Sequence, residues 1–196
     1  MKKLPWRFLA LSLLCGGEAC RSPSAGPYRP PSEEARDTRR AESLTQEALA
    51  SLDSDPQDAE RLLREALTAD LFFGPAHNDL GVLFLNQSKL YEAANEFEWA
   101  KKLMPGHPEP RLNLGLTLER AGQIDEAIES YDSALEAYPG HLRTTQALSR
   151  LLLRAGRDDE RLPSMLKELA LRGETEVWRE WAREQATRLR RFPNEE

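Results

Sequence analysis

Pro105-Gly106-His107 returns 34 residues later as Pro139-Gly140-His141. The same shift carries Leu80-Gly81 onto Leu114-Gly115, Ala93 onto Ala127, Phe97 onto Tyr131 and Ala100 onto Ala134. One period upstream, the last three columns hold Ala59, Leu63 and Ala66. A unit of this length cannot bury its own apolar face, so copies must stack on one another to share a core. β-branched residues are scarce beside Leu, Ala, Glu and Arg, which excludes a β-rich alternative. The period therefore predicts an all-α solenoid.

Each column has a physical reason. Gly81 and Gly115 sit where one helix of a pair crosses the other. A side chain there pushes the helices apart, and glycine is kept despite a propensity cost of ~1 kcal/mol. Ala93 and Ala100, like Ala127 and Ala134, lie seven apart on one face of a second helix and allow equally close packing. Phe97 and Tyr131 fill the space between those alanines. Pro105 and Pro139 fall just past helix ends, and Gly122 and Gly156 end the first helices of their units.

These columns resemble the tetratricopeptide repeat family. The resemblance implies a right-handed solenoid of antiparallel helix pairs, about 3.5–4 units, with a C-terminal capping helix. The expected organisation is a signal peptide at 1–19, a flexible tether at 20–31, a degenerate repeat at 32–73, full repeats at 74–107 and 108–141, a degenerate repeat at 142–173 and the capping helix at 174–192. Ser32 reads as a helix N-cap after Pro30-Pro31. Ser88 stands where a glycine is usual. Pro163 either opens a late helix near Leu162 or kinks one. Trp178, Trp181, Gln185 and Leu189 recur at helical spacing and give the capping helix its apolar side.

The first twenty residues, MKKLPWRFLALSLLCGGEAC, have a basic start, an apolar run from Phe8 to Cys15 and small residues after it. That layout is a secretory signal, and the run is too short to span a bilayer. The segment resembles a bacterial lipoprotein signal, which implies lipid attachment at Cys20. Ordinary cleavage after Ala19 is the alternative. Both cysteines, Cys15 and Cys20, lie in this segment, so residues 21–196 contain no disulfide. The expected location is the bacterial cell envelope, membrane-anchored and facing the periplasm; a cytoplasmic-side anchored adaptor is the other reading.

Chemistry-bearing motifs are absent from the sequence. There is no G-x-S-x-G, no HExxH and no phosphate-cradling glycine loop. The three histidines are His77, His107 and His141. His107 and His141 occupy equivalent turns, but two imidazoles make a poor metal site, and His77 reads as a packing residue. No cofactor and no metal are expected, and the chain reads as a non-enzyme. A periplasmic hydrolase or enzyme accessory with an unrecognised site is the rival.

In the family that the chain resembles, first helices line a concave groove. The resemblance places Asn78, Val82, Leu85 and Asn86 there, then Leu112, Leu116, Glu119 and Arg120, then Arg143, Gln146, Arg150, Leu153 and Arg154. Some of these apolar positions pack on the next unit instead. Some family members clamp a peptide's terminal carboxylate with Lys and Asn; Asn113 and Arg143 match that set, whereas Val82 and Ala147 depart from it. Arg120, Arg143, Arg150 and Arg154 form a basic end, suited to carboxylates. The alternative for Arg150 and Arg154 is pairing with Glu180 and Glu184. Residues 42–142 carry 7 basic and 19 acidic side chains, and residues 143–196 carry 12 and 10. So acidic a body repels phosphate backbones, which excludes nucleic acid as a general partner. The expected partner is a protein, offered as an extended peptide or a helix, with an acidic segment favoured; the expected membrane contact is the lipid anchor.

Overall fold

The computed structural model describes residues 36–191. Among these residues there is no strand, and nine helices run in order: α1 (Thr38–Ser51), α2 (Pro56–Ala69), α3 (Gly74–Asn86), α4 (Leu90–Leu103), α5 (Glu109–Arg120), α6 (Ile124–Ala137), α7 (Leu142–Ala155), α8 (Leu162–Arg172) and α9 (Glu176–Arg191). The signal, the tether, Cys20 and the expected cap at Ser32 lie outside the described residues. The N-cap of α1 is Asp37, whose carboxylate accepts from the Arg40 amide at 3.0 Å. Asp55 caps α2 by accepting from the Gln57 and Asp58 amides, and Pro56 takes the first-turn position where a missing N–H costs nothing.

Consecutive helices pack as antiparallel pairs, and first helices also meet one another, α1 with α3, α3 with α5 and α5 with α7. Each full pair closes through a glycine. A Cβ on Gly81 would lie 2.6 Å from Cε1 of Phe97, and one on Gly115 would meet the Tyr131 ring more closely still. Phe97 and Tyr131 are fully buried there. Burying each ring contributes roughly 1.5–3 kcal/mol.

One turn recurs in all three central pairs. Ser88, Gly122 and Gly156 have φ of 60°, 80° and 61°. The amide one residue later donates to the carbonyl five residues before it: Lys89 to Phe84, Gln123 to Leu118 and Arg157 to Leu152, at 2.9–3.0 Å. This left-handed exit satisfies carbonyls that a helix end leaves open. Ser88 makes the turn without glycine's freedom.

Two apolar clusters result. One joins α1–α4 and Leu114; the other runs from Leu112 and α6 to Ala182 of α9. Leu116 and Leu118 of α5 pack against both, which makes the core continuous along the solenoid. α8 begins at Leu162 with Pro163 in its first turn, so of the two readings of that proline the late start is the one realised. α9 lays Ala182, with Trp181, Ala186 and Leu189, onto the second cluster.

Candidate partner-binding groove

Side-by-side stacking of α3, α5 and α7 brings residues about one period apart into contact. Asn113 donates from Nδ2 to Oδ1 of Asn78 at 3.1 Å, and Asn78 donates to Asp79 at 3.2 Å. Burial pushes the Asp79 carboxyl above the usual carboxylate range, and the Asn78 bond opposes this.

The basic end is built around Glu119, whose side chain is 7% exposed. Its carboxylate accepts from the Tyr131 hydroxyl at 2.8 Å and pairs with Arg150 at 3.3 Å and Arg154 at 3.0 Å. Burial first, and then the bond to Glu119, drive the Tyr131 phenol far above its ordinary value. Glu119, rather than Glu180 or Glu184, is thus the partner of both arginines. Arg120 reaches back one unit, and its Nη1 donates to the Leu85 carbonyl at 3.0 Å, in the last turn of α3. Arg143 is exposed and has no carboxylate partner among the described residues. Two guanidiniums therefore share the Glu119 carboxylate, and Arg120 and Arg143 pair with no carboxylate among the described residues, so the surplus is positive.

The other expected groove residues divide by burial. Asn86 is exposed; Asn78, Val82, Leu116 and Gln146 are half-buried. Leu112 is a correction. At 2% exposure it belongs to the core with Ala127, Tyr131 and Leu148 and offers no surface to a partner. Leu85, at 6%, is likewise inside.

The histidines are engaged locally. His77 is buried, with Nδ1 2.7 Å from Glu96 Oε2 and Nε2 2.9 Å from the Leu71 carbonyl, and it stacks on Trp99 at 5.8 Å. His141 has Nδ1 2.7 Å from the Thr144 hydroxyl and Nε2 3.5 Å from Glu109. Among the described residues no group of three or more His, Cys, Asp or Glu side chains is placed to hold a metal ion, and no helix is long and apolar enough to cross a membrane. Sequence reasoning missed the role of Glu119 as a hub and the Asn78–Asn113 pair; the near-34 spacing of Asn78 and Asn113 was the available signal for the latter.

Fold and groove together define an all-α helical-repeat protein whose first helices form one continuous surface. The tetratricopeptide repeat profile matches residues 78–141 and again 112–169. Over residues 78–169 the chain is built of tetratricopeptide repeats. No curated protein sequence matches it. Among solved structures it is similar to the first such domain of Spaghetti (RPAP3) bound to the HSP90 peptide SRMEEVD, at 15% identity and a TM-score of 0.59 over 62% of this chain and 98% of that one. It is similar to MamA from Desulfovibrio magneticus RS-1, at 19% identity and a TM-score of 0.57 over 74% and 77%. The Sgt2 repeat domain from Aspergillus fumigatus gives 18% and 0.58 over 62% and 83%. At these identities the likeness is one of fold.

Proposed function

We propose that this chain is an exported, lipid-anchored adaptor that binds an acidic segment of a partner protein along its first-helix groove, with no catalytic step. The carrying observation is the surplus of arginine on the first helices: Arg150 and Arg154 share the Glu119 carboxylate, Arg120 is spent on a neutral carbonyl, and Arg143 has no carboxylate partner among the described residues. A carboxylate arriving from a partner completes this set. The repeats support a binding role, and the RPAP3 domain carries a peptide in its solved complex. The clamp residues differ here, because Val82 and Ala147 replace polar members, so the segment bound is not of the HSP90-tail type. Assembly of an envelope complex suits such an adaptor, since a lipid tether raises the partner's effective concentration at the membrane.

Two measurements test this reading. Crosslinked capture with the tagged chain, read by mass spectrometry, should recover a partner from the envelope fraction and lose it with Arg143→Glu. Recovery unchanged by that reversal removes the groove from the reading. Separately, Cys20→Ala should shift the chain from membranes to the soluble fraction, because each buried lipid CH₂ holds it by about 0.8 kcal/mol. Full membrane retention would remove the lipid anchor and leave the groove untouched.

A further inference from the structure

The solenoid repeats the clefts between its helices as well as the helices. Between α4 and α6, over α5, lies a cleft of about 420 Å³. Its walls from the two earlier helices are Ala94, Asn95, Glu98 and Lys101 of α4 with Leu114 and Leu118 of α5, and α6 supplies the remaining wall. A larger cleft, about 590 Å³, lies on α8 and α9. There Pro163, Ser164, Lys167 and Ala170 hold the α4 positions, and Arg183 and Thr187 hold the α5 positions. All six are offset from their counterparts by the same 69 residues, two periods and one inserted residue. The α8–α9 pair is therefore the same seat as α4–α5. At the first seat α6 packs in place; among the described residues no helix follows α9.

We infer that this α8–α9 cleft docks an acidic amphipathic helix of a partner protein. The charge of the walls selects that occupant. On α4, Glu98 is bonded to Lys101 at 2.7 Å, so that wall is balanced. Among the described residues the α8–α9 cleft is lined by Lys167, Arg183 and Arg190 and by no carboxylate; Glu180 and Glu184 of α9 do not line it. Arg183 is held by Glu176 at 3.0 Å, whereas Lys167 and Arg190 have no carboxylate partner among the described residues. Pro163, Ala170, Ala186 and Leu189 supply an apolar floor. The helix seated at the equivalent place, α6, has the complementary character: its sequence IDEAIESYDSALEA contains five carboxylates and no cation. The cations are at the rim, so their share of the binding is screened by salt, while the floor's share is not.

The α6 sequence is the probe. A fluorescent, end-capped peptide of residues 123–138 is titrated into the full chain and followed by anisotropy at low and at physiological salt. Saturable binding is expected, weaker at the higher salt. Lys167→Glu with Arg190→Glu should weaken it at least tenfold, and Thr187→Trp, which fills the cleft from an exposed position, should do the same without changing charge. The same two losses should appear when they are measured in the Arg143→Glu background, which removes the groove's contribution and so separates this seat from the groove reading. Thermal melting of each variant confirms folding. No saturable binding, or binding that survives both the reversals and the filling, overturns the inference. Self-association of the wild-type chain, abolished by the same reversals in sedimentation, would also overturn it by giving the seat to a second copy.

Discussion

The Tyr131 hydroxyl donates to Glu119 at 2.8 Å from a ring packed under Gly115, so one residue both closes a helix pair and orients the carboxylate that holds Arg150 and Arg154. Tyr131→Phe keeps the ring and removes the bond. The expected cost is about 0.5–1.5 kcal/mol at neutral pH. The alkaline side carries the sharper test. Burial and Glu119 raise the Tyr131 phenol in the folded chain above its unfolded value. Stability from its neutral form is complete below the unfolded value, about pH 10, and is lost as pH rises past it, by at most about 1.4 kcal/mol per unit. Melting of wild type and Tyr131→Phe at pH 8 and pH 11 checks this: the wild type should lose more stability between the two. Equal losses would mean that the phenol ionises freely in the fold.

Gly115→Leu should destabilise by on the order of 1–3 kcal/mol, because its first side-chain atom already overlaps the Tyr131 ring. A double-mutant cycle locates the cause at the equivalent crossing. Gly81→Ala presses on Phe97, and Phe97→Leu makes room, so the pair together should cost less than the sum of the two alone, measured by denaturant unfolding. Strict additivity would show that the glycine serves some purpose other than close approach.

How far such features can be read without coordinates depends on their range. The crossing of Gly81 on Phe97 follows from a period and residue size, and both are visible in the chain. The exits at Gly122 and Gly156 are equally local, and so is the late start of α8 at Pro163. Glu119 is different. Its three partners stand 12, 31 and 35 residues away, and which arginine of α7 reaches it depends on how α7 is displaced along α5 when the pairs stack. Leu112 shows the same limit. It shares a column with Asn78 and Gln146, yet it alone is buried, because Tyr131, Ala127 and Leu148 close over it. A column fixes a direction from the helix axis, and burial depends on what stands opposite.

Ser88→Gly should stabilise the chain. At φ 60° a serine pays a left-handed cost of roughly 1–2 kcal/mol that glycine avoids, and the greater freedom of glycine in the unfolded chain returns about 0.4–1 kcal/mol of it. The net expectation is a gain of up to about 1 kcal/mol. Gly122→Ala, at φ 80° in the equivalent turn, should lose stability. Denaturant midpoints at unchanged slope measure both, and opposite signs for the two substitutions are the expected result.

The arginines of the basic end should separate into structural and binding members. Arg120→Ala removes the donor to the Leu85 carbonyl and is expected to cost about 0.5–1.5 kcal/mol of stability. Arg143 is exposed and has no side-chain partner among the described residues, so Arg143→Ala should leave melting unchanged while weakening capture of an acidic segment. Arg150 and Arg154 are coupled: each alone leaves Glu119 one guanidinium, whereas removing both leaves a mostly buried carboxylate with the Tyr131 hydroxyl alone, so the double loss should exceed the sum of the single ones. A partner carboxylate met by Arg143 at an exposed rim is worth under about 1 kcal/mol and fades with salt. Wedged among Arg143, Arg150 and Arg154, partly out of water, it is worth ~1–3 kcal/mol. The salt dependence of capture for wild type and Arg143→Ala, measured beside their melting curves, decides between the two. Binding that survives Arg143→Ala at every salt concentration, with melting intact, would place the partner away from the basic end.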